Sequence, residues 1–402
     1  MSDPALDASA ASLPFGAAPR RVSHAASVPR EHVIDAMRGF AALLVAYFHC
    51  RQVTWIGMQT FHATAGRMLN FNTLLAYLTF PIAWGSAGVP IFFVISGYCI
   101  HRGAAQRLAG NPDYRLDATN FWARRFARIY PVLLAALVLT LALDWTSFHL
   151  PPVNHKLLDI GPRAFLVNLF ALQGVAGKTY GSNGALWTLS IELQFYVIYP
   201  LLFALRRRIG MMPLLVLIAL VNVVSGFMLE PHEIQFFTSY WFSWTLGAWI
   251  AEARVAGEPH ARSSSAWFYL IAFVLMALGC IAFHFSQYVA FQLWAFGFAS
   301  YLYKALDPTR PNNPIHAPIA RLLSRVGDFS FSLYLIHLPI FVLLSSLLFR
   351  SSLQTQIWPS FAFMLVAVPL ARVFYRLVEL PAMKWSASLK RKPRTQAKAA
   401  HP

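Results

Sequence analysis

Long apolar runs, broken by short polar or Pro/Gly clusters, recur along the chain from Val33 onward. A helix that crosses a bilayer needs about 20 mostly apolar residues. Ten stretches answer to that pattern: 33–53, 84–101, 126–146, 185–205, 211–229, 236–253, 266–284, 287–304, 328–349 and 357–378. Two more, 73–83 and 164–175, are too short to span and read as interfacial or re-entrant pieces. Residues 1–32 are rich in Ala, Ser, Pro and Arg without an apolar run, which predicts a disordered cytoplasmic tail. The pattern divides the chain into that tail, a transmembrane domain over 33–380 and a basic cytoplasmic tail over 381–402. No signal-peptide h-region precedes the first span, so that span is expected to act as an uncleaved anchor.

Composition narrows the class. Of 402 residues, 57% are apolar and 12% charged, against about 25% charged in an ordinary soluble domain. Mean hydropathy is +0.51. So little charge cannot build the polar shell of a soluble enzyme. A disordered chain and a disulfide-knitted secreted module are excluded on the same numbers. The fold class is all-α, a polytopic membrane protein with about ten transmembrane helices. Cys50, Cys99 and Cys280 lie in apolar runs with no CxxC spacing, and read as core residues rather than as a disulfide framework or metal site.

The net charge of +17 would suggest nucleic acid in a soluble protein. With the N-terminus inside, 24 Lys and Arg fall in cytoplasmic segments and six in outer ones, while Arg38, Arg372 and Arg376 fall within spans. That positive-inside bias accounts for most of the charge without nucleic acid. It predicts both termini in the cytoplasm and a multi-pass protein of the cell's inner membrane. The long outer loops, 54–83 and 147–184, are then where an extracytoplasmic ligand could be held. No long-period repeat is visible.

Ionisable groups inside a span are costly and mark functional sites by default. The first span carries Asp35, Arg38 and His49. Arg38 and His49 are eleven residues apart, which at ~100° per residue leaves about 20° of azimuth, and Asp35 falls on the same side. The three form one polar stripe, with His49 roughly 16 Å beyond Arg38 along the axis. A structural reading makes Asp35 and Arg38 a cytoplasmic-end ion pair and His49 a packed histidine. The shared azimuth and the partners elsewhere favour function. Glu192, about two turns into the fourth span, could share a depth with His49, and a carboxylate there would fix the imidazole tautomer. His337 lies mid-span beside Pro339 and suits ligand contact or structural hydrogen bonding equally. A second cluster is cytoplasmic: Arg102 closes the second span, and Arg124, Arg125 and Arg128 open the third. It suits plain anchoring or a forked grip on phosphates. HExxH, GxSxG, GxGxxG and P-loop motifs are missing, so zinc proteolysis, α/β-hydrolase chemistry and nucleotide hydrolysis lose their usual support.

On these residues the sequence resembles the acyltransferase-3 family of integral membrane O-acyltransferases, over roughly residues 31–381. The resembling blocks are HVIDAMRGFAALLVAYFH with Arg38 and His49 at the family's spacing, GVPIFFVISGYCI (88–100), RRFARIYP (124–131) with its RxxR pattern, LWTLSIELQFYVIYPLL (186–202) and FSFSLYLIHLP (329–339). Pro90 stands where an acidic residue is common, and Ile191-Glu192-Leu193 keeps one of two acidic residues often paired there. The resemblance implies transfer of an acyl group, most often acetyl, from cytoplasmic acyl-coenzyme A to a hydroxyl of an acceptor such as a surface polysaccharide or other glycan. No metal is implied. Residues Arg102, Arg124, Arg125 and Arg128 would hold the nucleotide phosphates, and the pantetheine arm would pass Arg38. His49 would be the general base, with Asp35 and Arg38 ordering the channel and Glu192 orienting His49 or the acceptor. His337, Ser96 and Trp187 are candidate substrate contacts. The rival classes are a transporter or exporter of a small molecule or glycan intermediate, and an inert membrane scaffold.

Overall fold

The computed structural model describes residues 32–66, 68–256, 265–306 and 317–389. The two predicted tails lie outside them, except that helix continues past the expected boundary at 380 as far as Ser388. The described residues form helices and turns, with two isolated backbone bridges and no strand.

Each of the ten apolar stretches becomes a helix, and each short stretch becomes a short one. In chain order the helices are α1 (His32–Thr54), α2 (Met58–Thr64), α3 (Phe71–Leu78), α4 (Gly88–Gly110), α5 (Ala118–Phe148), α6 (Pro162–Leu169), α7 (Leu186–Ile209) and α8 (Met211–Leu229). They continue as α9 (Trp241–Ala256), α10 (Ser265–Ala282), α11 (Gln287–Ala305), α12 (Ala317–Gly327), α13 (Ser330–Phe349), α14 (Trp358–Phe374) and α15 (Leu380–Ser388). A 3-10 segment, Phe80–Ala87, leads into α4, and a π turn, Tyr375–Glu379, joins α14 to α15. Among the described residues seven segments are long and apolar enough to cross a membrane. The other three expected spans, α9, α10 and α11, are present as shorter or less apolar helices.

Helices dominate because a bilayer interior offers no water to backbone N–H and C=O groups, so each segment must satisfy its own. Entry points are capped from the sequence: Asn70, Asp117 and Ser286 each accept a backbone N–H three residues on. Proline within a helix strips the hydrogen bond from the carbonyl four residues earlier. Two of these carbonyls are met by side chains from neighbouring helices or loops. Pro339 frees the Leu335 carbonyl, to which Asn183 Nδ2 donates at 2.8 Å. Pro200 frees that of Tyr196, to which Trp122 Nε1 donates at 2.9 Å.

Helices α1 and α13 run through the middle of the bundle. Helix α13 is walled by α1, α5 and α14, and its stretch from Ser332 to Val342 is buried throughout. At the rim the large apolar side chains turn outward, as with Phe273 (72% exposed) and Leu365 (77%), the surface a helix offers to lipid.

The tightest crossing is α4 on α9. A Cβ on Gly97 would sit 1.8 Å from the Trp244 carbonyl oxygen, and one on Gly247 would sit 1.9 Å from that of Val94. Reciprocal small residues of this kind let two backbones touch. Gly247→Val is therefore expected to cost ~1–3 kcal/mol through overpacking and to lower the thermal midpoint of the detergent-purified protein. Gly103→Ala, where a Cβ meets nothing within 4 Å, should not. Equal midpoints for the two variants would refute the close crossing.

Candidate active site

The structure pairs two histidines in the middle of the bundle. His49 Nδ1 lies 2.8 Å from His337 Nε2, with ring centroids 5.1 Å apart and planes within 7°. The other nitrogen of His337, Nδ1, is 3.0 Å from the Leu333 carbonyl oxygen. That oxygen can only accept, so His337 Nδ1 carries the proton and its Nε2 offers a lone pair. His49 must then donate from Nδ1, which leaves His49 Nε2 unprotonated. The order is set by two helices: Leu333 and His337 are one turn apart on α13, and His49 faces them from α1. His337 is fully buried, while His49 keeps partial solvent access. His49 Nε2 is thus the one ring nitrogen of the pair left with an unshared lone pair, on a side chain that is only partly covered.

A larger polar cluster sits in the bundle toward its arginine-rich end. Arg38 is 3.7 Å from Asp35 and donates to Cys99 Sγ at 3.4 Å. Glu192 accepts from Ser96 Oγ at 3.1 Å and from the Tyr196 hydroxyl one turn along α7. Arg38 and Arg125 both lie within electrostatic range of Glu192. Arg125 also lies 5.6 Å from the centroids of both the Phe121 and Tyr196 rings, and Arg124 and Arg128 are within its electrostatic range. Glu379 joins from the π turn, accepting from Ser332 N and Oγ at 3.2 and 2.5 Å, with Arg128 and Arg38 in range. A π turn re-aims the residues it contains and recurs at functional sites. Here it turns a buried carboxylate toward two guanidinium groups. A further ion cluster, Arg206–Glu252–His101, ties α7, α9 and α4 at the same end.

Tyr334 neighbours both centres. Its hydroxyl accepts from Thr188 at 2.8 Å, its ring lies 5.9 Å from that of His337, and Glu192 is in electrostatic range. At the opposite end, the segment from His149 to Ala185 closes over the histidines. Asp144 fixes it by accepting from Ser182 N and Oγ at 2.7 Å each, and Asn183 pins it to α13. Lys156, on this segment, lies within electrostatic range of His49. It is half-buried, and the lost hydration lowers its ammonium pKa below the usual lysine range.

The expected site residues thus separate into two groups. Arg38, Asp35, Glu192 and Ser96 gather in the polar cluster, and His49 stands apart with His337. Glu192 was expected to orient His49 or the acceptor; the contact that orients His49 comes from His337 instead. The reason is azimuth: depth places Glu192 well enough, but its face of α7 looks at Ser96 on α4. His337, expected as a substrate contact, is fully buried and hydrogen-bonded at both nitrogens, which suits a positioning residue. Arg124, Arg125 and Arg128 stay together, while Arg102 lies over Tyr98 at 5.9 Å. Trp187 is displaced from the histidines and packs on Tyr240 and Phe291.

Glu379, Asp144 and Glu252 were not singled out in the sequence. Asp144 and Glu252 are single carboxylates within expected spans, a signal that the rule applied to Asp35 would have caught. Glu379 falls one residue beyond the last expected span. Among the described residues no group of three or more His, Cys, Asp or Glu side chains is placed to hold a metal ion.

The family model described as "Acyltransferase domain" matches residues 31–376. Nodulation protein 10 of Rhizobium leguminosarum bv. viciae is 25% identical over 382 residues, covering 88% of this chain and 94% of that protein. O-acetyltransferase OatA of Staphylococcus aureus is 25% identical over 339 residues, covering 75% of this chain and 53% of its own length. Acyltransferase MdmB of Streptomyces mycarofaciens is 29% identical over 177 residues, covering 44% of this chain and 40% of its own. The chain therefore spans about half or less of two of these relatives and nearly all of the third. No solved structure matches it. A family match that takes in α1 through α14, and with them both histidines and the arginine cluster, places the chain in the acyltransferase-3 family.

Proposed function

We propose that the chain is a membrane O-acyltransferase that carries an acetyl group from cytoplasmic acetyl-coenzyme A to a hydroxyl of an extracytoplasmic glycan. The observation that carries this reading is the Leu333–His337–His49 chain, which leaves His49 Nε2 as an unshared basic nitrogen on a partly covered side chain. In this reading all ten long helices span, both termini are cytoplasmic and the protein sits in the inner membrane. The arginine-rich end faces the cytoplasm. There Arg124, Arg125 and Arg128, with Arg102 at the rim, hold the nucleotide phosphates. Arg38 and Glu192 line the path of the pantetheine arm toward the histidines. The similarity to OatA, named as an O-acetyltransferase, favours acetyl as the group.

The chemistry at the histidines is a single acyl transfer. His49 Nε2 takes the proton of the acceptor hydroxyl as that oxygen attacks the thioester carbonyl. The C–O bond forms, the C–S bond breaks, the thiolate takes up the proton His49 has held, and the free thiol leaves toward the cytoplasm. His337 accepts from Nδ1–H of His49, fixing the reactive tautomer and sharing the charge of the transient imidazolium. Each of these is a role that a neutral, oriented imidazole can fill.

The test is consumption of thioester by the purified chain in nanodiscs, together with mass spectrometry of surface glycans from cells with and without the gene. Free coenzyme A release and a mass difference of one acyl unit are expected. A carrier consumes no thioester, so its absence with an intact, folded chain would sink the reading. A second measurement isolates His337. His337→Phe keeps the ring's bulk but removes the acceptor for His49, and should slow transfer by on the order of 10–100-fold, the range for lost orienting partners. It should also move the acid limb of the pH–rate profile, which a merely structural role would leave in place. His337→Gln, whose amide oxygen can accept from His49, should recover part of the rate.

A further inference from the structure

At the end of the bundle opposite the arginines lies a cavity of about 640 Å³, within the size range of sites that hold drug-sized ligands (~300–1,000 Å³). Its walls come from the N-termini of α7 and α11, the loop after α8 and the segment from Leu158 to Gly184. We infer that this cavity is the acceptor subsite and that it selects an uncharged oligosaccharide, an inference that rests on the acyl-transfer reading above.

Three features carry it. The first is aromatic. Trp187, Tyr240 and Tyr288 line the cavity, with Trp187 and Tyr240 ring centroids 5.4 Å apart, and Trp187 keeps part of its surface open. Tyr240 and Tyr288 are buried and back the wall, so Trp187 is the ring open to take up the C–H face of a sugar while leaving its hydroxyls free. The second is polar. The side chains of Gln235, Gln287, Glu233 and Lys178 line the same space and make no hydrogen bond to the described protein, so their donors and acceptors are open to vicinal hydroxyls. Two carboxylates, Glu230 and Glu233, stand against the single ammonium of Lys178. Glu230 is already engaged with Ser286 and the Tyr288 N–H, which leaves Glu233 as the exposed anion. This balance repels uronate or sialate groups.

The third feature is the connection to the histidines. Gly184 lines the cavity and faces the Leu338 side chain at 3.7 Å from where its own Cβ would be, and Leu338 adjoins His337. Trp187 lines it as well, and the next residue, Thr188, bonds to Tyr334 one turn before His337. Leu158 lines it two residues from Lys156, the cation within range of His49. These neighbours set the cavity beside the elements that hold the histidine pair, and in this proposal a glycan seated there offers a terminal hydroxyl to His49 Nε2.

The experiment measures sugar binding to the full chain in nanodiscs, with maltotriose and chitotriose as uncharged probes and trigalacturonate as the anionic one. Saturable binding of at least one uncharged trisaccharide is expected, at least tenfold tighter than trigalacturonate. Trp187→Ala and Glu233→Gln should each weaken the uncharged probe, the first by tenfold or more, and Trp187→Phe should retain most of the affinity. Glu233→Gln should also narrow the preference against trigalacturonate. No saturable binding of either uncharged probe, equal affinity for the anionic one, or indifference to both Trp187→Ala and Glu233→Gln would overturn the inference. The thioester assay separates the two claims. Acetyl-coenzyme A consumed without sugar binding fails the cavity alone. Sugar bound without thioester consumption fails the acyl-transfer reading and leaves the cavity as a sugar site.

Discussion

His49→Ala is expected to lower acyl transfer by on the order of 10²–10⁴-fold, the usual contribution of a positioned general base. The side chain touches little that the fold depends on. Its hydrogen bond to the protein is the one to His337, and its flank is partly open. His337 keeps its bond to Leu333 when His49 is gone, so the α13 partner stays ordered. The variant should therefore purify in wild-type yield, bind acetyl-coenzyme A through the distant arginines and fail at the chemical step. Added imidazole should restore part of the rate, because the truncated side chain leaves a ring-sized space beside a pre-oriented acceptor at His337 Nε2. Initial rates of coenzyme A release, with and without imidazole, give the measurement. A variant that transfers acyl groups at the full rate would show that the histidine pair is structural.

How far this site could be read from sequence depends on which feature of a residue decides its role. The helices were legible because lipid leaves the backbone no option but helix, and apolar run length marks them, though among the described residues only seven segments are long and apolar enough to cross. The polar stripe of Asp35, Arg38 and His49 was legible because the helical repeat fixes azimuth within one helix. What was hidden is azimuth between helices. Glu192 and His337 lie on different helices, and nothing in their own neighbourhoods says which of them turns toward His49. The rotation of α13 is set by packing against α1, α5 and α14, and by Asn183 holding the carbonyl that Pro339 frees. Glu379 was hidden for a related reason: a π turn shifts the register of everything after it, so a regular helical count cannot place it. The cavity was hidden because four separated segments build it, none of them distinctive alone.

Glu252→Ala should destabilise the protein by about 3 kcal/mol, near the low end of the cost of removing one partner from a buried ion pair. The carboxylate accepts from Arg206 Nε and NH2 at 2.5 and 2.6 Å and faces His101 Nε2 at 2.7 Å. Glu252 is 14% exposed and His101 3%, but Arg206 keeps 25% of its side chain in contact with solvent, which moderates the penalty for leaving it unpaired. The forked geometry is what only a guanidinium offers a carboxylate, so Arg206→Lys should recover little. Removing both charges is a different matter. Arg206→Met combined with Glu252→Leu leaves no uncompensated ion, and should be closer to wild type than Glu252→Ala alone. Thermal midpoints and the monodisperse fraction after heating in detergent would rank the variants. The clamp also bears on function, because it joins α7, which carries Glu192 and Trp187, to α4, which carries Ser96. A loosened clamp lets the Ser96–Glu192 contact drift, so Glu252→Ala should lose activity at temperatures where His49→Ala remains fully folded. If Glu252→Ala matches wild type in midpoint, the cluster is a surface pairing, and α4 is held to α9 by the Gly97–Gly247 crossing and to α7 by the Ser96–Glu192 contact.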